Sequence, residues 1–402
     1  MATSVLSPYG PPSPPCIRLV KDKGDYFEAL TGTAGFVIKV IGEAHDMYEM
    51  ERQDHVANFL VPSLLSAYDL DASDAVLEHS YRHVAAQLEK LRPSPGVIHQ
   101  GNWKEYLGQK SYYSAYVQFF DQCIGQEGLE RTFYTIFPQL IPGLVVSSLS
   151  PLLHLGFGIE TQHPLIVAEG LAYMCITYAD PGPSLTDLVQ QQRACRRPMS
   201  CTDILETIAE DKRFDGSFDQ ATFAAKLKVV LSSRGDLIKT YTRQWGVDGL
   251  SETLLVERLD ELSVLLANLV LSLDQTNHDP NLQPPPLDPY LVYTLLPVTR
   301  AVRFMIDHLP SLVDKQRLVK VLWCATISYF VIQGRPAVNT HTPPDDTPDW
   351  NEMILRALAS GDPRVVIVIR TLFQWEERHF CSVFPMAAQA VLNADASRAY
   401  CK

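Results

Sequence analysis

The stretch from Leu149 to Asp180, LSPLLHLGFGIETQHPLIVAEGLAYMCITYAD, restricts the fold more than any other part of the chain. It is apolar almost throughout, yet it carries His154, Glu160, His163 and Glu169. An ionisable side chain buried alone is costly, so each of these groups needs a partner or a chemical task. The apolar spacing predicts two helices. One runs from about Pro151 to Ile159, with a proline suited to a first turn. The other runs from about Pro164 to Tyr178, with Leu165, Ala168, Leu171, Ala172 and Cys175 at helical spacing. The Thr161-Gln162-His163-Pro164 segment breaks the two apart.

The rest of the chain reads in the same way. Ser73 and Asp74 can cap a helix over Ala75 to Leu91. Further helices are expected over Gly128 to Pro142, from Thr202, and over Leu318 to Tyr329. Glu252 to Leu273 is too apolar for a surface helix and belongs in a core. Gly24 to Thr31 and Phe36 to Glu43 read as irregular, and Ala179 to Ser217 as a surface excursion. Phe218 to Ser232 and Leu237 to Tyr241 read as short helices separated by loop, and Asp274 to Pro289 and Asn339 to Asp349 as loops. Alternating strand patterns are scarce and no repeat stands out. The expectation is an all-α fold, a single compact multi-helix domain with an irregular N-terminal segment. Its bounds are about Ile17 to Leu392, between a disordered tail at 1–16 and a second tail at 393–402.

Composition excludes several classes of function. The formal net charge of −12 over 402 residues argues against nucleic acid or an anionic membrane surface as the main partner. No apolar run reaches the roughly 18–20 residues needed to span a bilayer. The N-terminus has neither the basic start nor the apolar core of a secretory signal. The eight cysteines form no CxxC pair and mostly lie in apolar segments, which suits buried thiols in a reducing cytoplasm rather than a zinc site. There is no GxGxxG turn, P-loop or GxSxG elbow.

Three constellations remain. His79 and His83, at i and i+4, share one helical face, either as two metal ligands or as a solvated face beside Arg82 and Gln87. Trp103, Tyr106, Tyr112, Tyr113 and Tyr116 are either core or the lining of a pocket for a flat aromatic ligand. His154 is either a core histidine bonded to a backbone carbonyl or to Glu160, or a general acid/base on the floor of an apolar pocket, with Glu160 and Glu169 as its electrostatic neighbours. His163, directly before Pro164, reads as a helix-start residue.

The string HLGFGIE followed by HPLIVAEGLAY resembles the questin oxidase-like family of fungal secondary metabolism, as does YFVIQGRP at Tyr329 to Pro336. The resemblance implies oxidative opening or expansion of rings in polycyclic aromatic, polyketide-type intermediates. It also implies a non-haem metal held by several histidines and a lysine-derived carboxylate. At the matching positions this chain has Phe59, Pro62, Ser150, Tyr293, Arg364 and Ile367, and only His154 is retained. The expectation is therefore an oxidoreductase of this family with no metal ligand set assigned and the cofactor open. A metal-free cyclase, isomerase or hydratase on the same scaffold is the alternative, and a non-catalytic binding protein for a pathway intermediate the second. His154, Glu160 and Tyr293 are the candidate catalytic residues. Trp103, Tyr112, Tyr116, Phe157 and Arg370 are the candidate contacts to a small aromatic substrate. Oligomeric state is left open. If a metal binds after all, His55 and His341 are the first alternative ligands.

Overall fold

A computed structural model describes residues 32–52, 56–216, 218, 220, 222–275, 291–338 and 348–400. These residues form α-helices with no strand, only isolated bridges at Tyr48–Lys90 and Glu51–Ala57. The helices are α1 (Gly32–Met47), α2 (Leu60–Asp69), α3 (Asp74–Ala85), α4 (Tyr113–Glu127), α5 (Leu129–Leu140), α6 (Ser150–Thr161), α7 (Pro164–Thr177) and α8 (Gly182–Gln190). They continue as α9 (Cys201–Glu210), α10 (Phe223–Gln244), α11 (Glu252–Gln275), α12 (Leu296–His308), α13 (Leu312–Ile332), α14 (Trp350–Leu358), α15 (Pro363–His379) and α16 (Val383–Tyr400). The all-α expectation holds. No helix among the described residues is long and apolar enough to cross a membrane.

The stretch that dominates the sequence is the centre of the structure. α6 and α7 form an antiparallel hairpin, α4 packs on α7, and α12 packs on α6. Almost every residue of α6 and α7 is buried, including the ionisable ones. The break between them has a simple cause. Gln162 adopts the left-handed conformation at φ 52°, its N–H bonds the carbonyls of Gly158 and Ile159, and Pro164 starts the next helix. A second group, α2, α15 and α16, lies alongside, with α15 against both α2 and α12.

Local readings fail where a helix is short or contains glycine. Phe36 to Glu43 lies inside α1, because Val37, Val40, Ile41 and Ala44 make one buried stripe that outweighs the glycines. The surface excursion after Ala179 contains α8, which buries Leu185, Leu188 and Val189. The two short helices expected between Phe218 and Tyr241 are one helix, α10, whose interior tolerates Gly235. α3 stops at Ala85 rather than Leu91, because the chain beyond it bonds the segment after α1: Glu49 N–H to Glu89 C=O, and Leu91 N–H to Met47 C=O. The loop expected from Asp274 lies almost wholly outside the described residues, as does most of that from Asn339, including His341; His55 lies outside them too.

The glycines of the hairpin are contact points between helices. A methyl group at Gly158 would lie 2.8 Å from the backbone nitrogen of Val167, and one at Gly170 2.7 Å from Leu155 Cα. Backbone cannot yield as a flexible side chain can, and overpacking of this kind typically costs about 1–3 kcal/mol or more. Gly158→Ala and Gly170→Ala should each lower the urea midpoint. Gly235→Ala, which meets nothing within 4 Å, should leave it unchanged or raise it. Equal tolerance at all three positions would contradict this packing.

Candidate active site

Packing of α6 on α7 brings His154 to Glu169. His154 Nε2 lies 2.8 Å from Glu169 Oε2, and both side chains are buried. The second carboxylate oxygen, Oε1, lies 3.1 Å from Nδ1 of His45 on α1. The other nitrogen of His45, Nε2, lies 3.0 Å from Asp121 Oδ2 on α4. Asp121 is about a third exposed, so the chain His154–Glu169–His45–Asp121 runs from the interior to solvent.

The partners decide where the protons are. An ionised carboxylate only accepts, so each nitrogen facing one must donate. His45 faces a carboxylate at both nitrogens and is doubly protonated. Burial alone would lower its pKa; the hydrogen bonds and charges of Asp121 and Glu169 reverse that and raise it to about 10. Burial would likewise raise Glu169, but hydrogen bonds and charge from His154 and His45 hold it below the usual carboxylate range. His154 therefore donates from Nε2. Its Nδ1 is buried and has no hydrogen-bond partner among the described residues. An imidazole oriented by a buried acid at one nitrogen and bare at the other is the arrangement of a general base. His163 lies close enough for its titration to feel Glu169 and His45, and burial lowers its pKa.

Glu160 belongs to a different cluster. It is six residues from His154 on the same helix, which turns it roughly 120° away. The partner of His154 is accordingly Glu169, not Glu160. The carboxylate of Glu160 accepts from Arg300 on α12 at 2.6 and 2.7 Å and from Arg370 on α15 at 2.5 Å. Burial would raise its pKa, but the two guanidinium charges and their hydrogen bonds lower it to about 2. Arg370 also donates to Asp69 at 2.7 Å, and its guanidinium lies 5.3 Å from the ring centre of Phe157. Phe157, Glu160 and Arg370 thus meet in one buried ion cluster, with the guanidinium of Arg370 held by protein carboxylates.

The remaining candidates are dispersed. Tyr293 sits in a single π-helical turn, Leu291–Leu295, that leads into α12, with the Arg364 guanidinium 4.7 Å from its ring centre. Such turns occur often at functional sites. The hydroxyl of Tyr116 donates to the Trp103 carbonyl, and both side chains are buried. Tyr112 stacks on Tyr106 at 4.2 Å, partly exposed. His79 and His83 line a cleft of about 400 Å³ between α3 and the turn joining α14 to α15. His154 lines neither this cleft nor the one of about 410 Å³ around Glu49, Arg92 and Lys110.

His45 and Asp121 escape a reading of the sequence alone. Asp121 carries a usable signal: it directly follows the aromatic-rich run from Tyr112 to Phe120, which holds no charged residue. His45 carries none, since Glu43 and Asp46 beside it suggest a solvated helix end.

A family model described as questin oxidase-like matches residues 56–372. The chain belongs to the questin oxidase-like family. Among curated relatives, Oxidoreductase AflY of Aspergillus parasiticus is 31% identical over 157 residues, 37% of this chain and 30% of that protein. Questin oxidase of Aspergillus terreus is 30% identical over 158 residues, 35% of this chain and 33% of that protein. Baeyer-Villiger oxidase notM of an Aspergillus species is 28% identical over 167 residues, 41% of this chain and 38% of that protein. The matched segments span about a third of each relative's length.

The metal implied by the family resemblance does not fit the residues present. His154 alone is suited to such a site, since a ligating histidine normally gives its other N–H to a carboxylate. Phe59, Pro62 and Ile367 offer no donor atom. The Ser150 hydroxyl accepts from Ser148, and Tyr293 lies beneath a cation. Among the described residues no three His, Cys, Asp or Glu side chains are grouped to hold a metal ion.

The two clusters set opposite limbs of a pH–stability profile. His45 rises from 6.5 to about 10 on folding, so its contribution is complete below pH 6.5 and is lost as pH climbs through 10. Glu160 falls from 4.5 to about 2, so its contribution is complete above pH 4.5 and is lost as pH drops through 2. The thermal midpoint of wild type should exceed that of His45→Gln most at pH 6.5 and below, and the excess should shrink as pH rises toward 10. A difference between the two that stays constant from pH 6.5 to 10 would refute the charged His45.

Proposed function

We propose that this protein is an oxidoreductase of the questin oxidase-like family acting on a polycyclic aromatic intermediate of secondary metabolism. In this reading His154 moves the substrate proton. Support for the reaction class comes from the relatives, which are named as oxidoreductase, questin oxidase and Baeyer-Villiger oxidase. The observation that carries the role of His154 is its bare, buried Nδ1 backed by Glu169.

The step assigned to this chain is proton abstraction. His154 Nδ1 takes a proton from a phenol or from a carbon beside a ketone, giving the electron-rich phenolate or enolate. The imidazolium so formed is stabilised by ionised Glu169, which His45 in turn holds ionised. Asp121, at the surface end of the chain, accepts from the other nitrogen of His45 and so keeps that imidazolium charged. General base assistance of this kind is typically worth ~10²–10⁴-fold in rate.

A second reading is favoured by one observation. Phe59, Pro62 and Ile367 stand where the family resemblance places metal ligands or their neighbours. On that reading the same base catalyses a non-redox isomerisation, cyclisation or hydration. Oxygen uptake matched to product formation supports the oxidoreductase, and turnover without oxygen uptake supports the non-redox enzyme.

His154→Gln keeps a donor toward Glu169 but removes the basic nitrogen. It should lower turnover by at least about a hundredfold, with the protein still folded and its thermal midpoint little changed. A large loss of stability with near-normal turnover would show instead that His154 is a packing residue. Tyr293→Phe keeps the ring beneath Arg364, and its effect should stay within about tenfold, since one neutral hydrogen bond is worth about 0.5–1.5 kcal/mol.

A further inference from the structure

The histidine pair on α3 admits two readings from its spacing, a two-nitrogen metal chelate or a solvated face beside Arg82 and Gln87. The structure separates them. His79 and His83 are exposed, one helical turn apart, and both line the cleft between α3 and the α14–α15 turn. Arg82 does not line it; its guanidinium pairs with Glu78 at 2.5 Å. No lysine or arginine is in the lining, so no fixed cation opposes a metal ion there.

The hydrogen bonds fix which nitrogens are open. His83 Nε2 lies 3.1 Å from the Gly361 carbonyl, and a carbonyl only accepts, so Nε2 carries the proton. The Gln87 amide nitrogen lies 3.3 Å from the same Nε2, but at equal distance it donates to the His83 carbonyl instead. The neutral ring therefore keeps its lone pair on Nδ1. A histidine that gives its other N–H to a backbone carbonyl has the tautomer and the restraint typical of a metal ligand. His79 makes no hydrogen bond or ion pair among the described residues.

The opposite wall favours positive charge. It is formed by Ala357 to Asp362, the carbonyl end of α14 and the turn after it. The C-terminal end of a helix carries partial negative charge. The Asp362 carboxylate is there too, paired with Arg364 at 2.5 Å.

We propose that His79 and His83 bind one divalent transition-metal ion, of which zinc is the test case, at the rim of this cleft. Imidazole nitrogen suits zinc, copper and nickel, whereas magnesium and calcium take oxygen ligands. Two protein nitrogens leave the remaining coordination positions to water. Through the His83–Gly361 hydrogen bond the ion ties α3 to the α14–α15 turn. Neither His154 nor any substituted family position lines the cleft, so this site is separate from the one the resemblance implies. It is also independent of the function proposed above.

The test is calorimetric titration of the full chain, free of any affinity tag and stripped with chelator, with zinc chloride. One saturable site is expected, with no heat of binding from magnesium chloride. His79→Ala and His83→Ala should each weaken zinc binding at least about tenfold, since even a group that only orients a ligand is worth that much, and the double variant should abolish it. Both residues are exposed, and an unchanged circular dichroism spectrum confirms the fold. Zinc should raise the thermal midpoint of the wild type and leave that of the double variant where it was. His99→Ala, at an exposed histidine in another part of the chain, and His154→Gln should bind zinc like the wild type. No saturable zinc binding, or binding indifferent to both His79→Ala and His83→Ala, overturns the proposal. Binding lost in His154→Gln and kept in the double variant also overturns it, by placing the ion at the hairpin.

Discussion

One buried carboxylate, Glu169, organises the centre of this protein. It lies between two imidazoles, one from α1 and one from α6, and it sits on α7, a helix apolar on nearly every side. A lone carboxylate there would be protonated or would expel the helix from the core. With His45 charged beside it, it stays ionised, and the cost of burying it is offset by two charge-assisted hydrogen bonds. The identity and orientation of His154 follow from that ion. Replace Glu169 with an apolar residue and nothing specifies which imidazole nitrogen of His154 carries the proton.

The second cluster works differently. Glu160, Arg300, Arg370 and Asp69 balance two cations against two anions, and they tie α6 to α12, α15 and α2. Breaking one member of such a set usually costs more than the whole set contributes, because it strands a buried charge. Its role is to fix the register of four helices, and through Phe157 and Arg370 it fixes α6 in particular. The glycine contacts at Gly158 and Gly170 do the same for the α6–α7 hairpin. His154 therefore sits on a helix held from two sides, a placement that suits the proton transfer proposed for it.

The sequence made the helices of the central hairpin legible to within a residue or two, because proline, glycine and uniform apolarity all point to the same boundaries. It also marked His154, Glu160 and Glu169 as buried charges needing partners. It offered both Glu160 and Glu169 as neighbours of His154 and could not choose between them. Two residues on one helix are related by its periodicity, but Glu169 reaches His154 from another helix and His45 from a third, and those approaches depend on tertiary packing. The arginines show the same limit. Arg370 reads as a residue free to bind a ligand, and only the fold reveals that Glu160 and Asp69 take up its donors. His45 is masked by the acids beside it, which suggest a solvated helix end, while Asp121 is marked by its place after an aromatic run but not by any partner. Family resemblance supplied the scaffold and the reaction class proposed for it, while the substituted positions Phe59, Pro62, Ser150 and Ile367 take their meaning from their surroundings in the fold.

The central claim is that His45 is a fixed imidazolium that keeps Glu169 ionised and so orients His154. Nitrogen-15 nuclear magnetic resonance of the histidine rings, followed from pH 6 to 9 on the full chain, addresses it directly. The account predicts that both ring nitrogens of His45 keep imidazolium shifts throughout, consistent with a pKa raised to about 10. It also predicts that His154, when neutral, carries its proton on Nε2. Titration of His45 near its ordinary 6.5, or a His154 protonated on Nδ1, would contradict it.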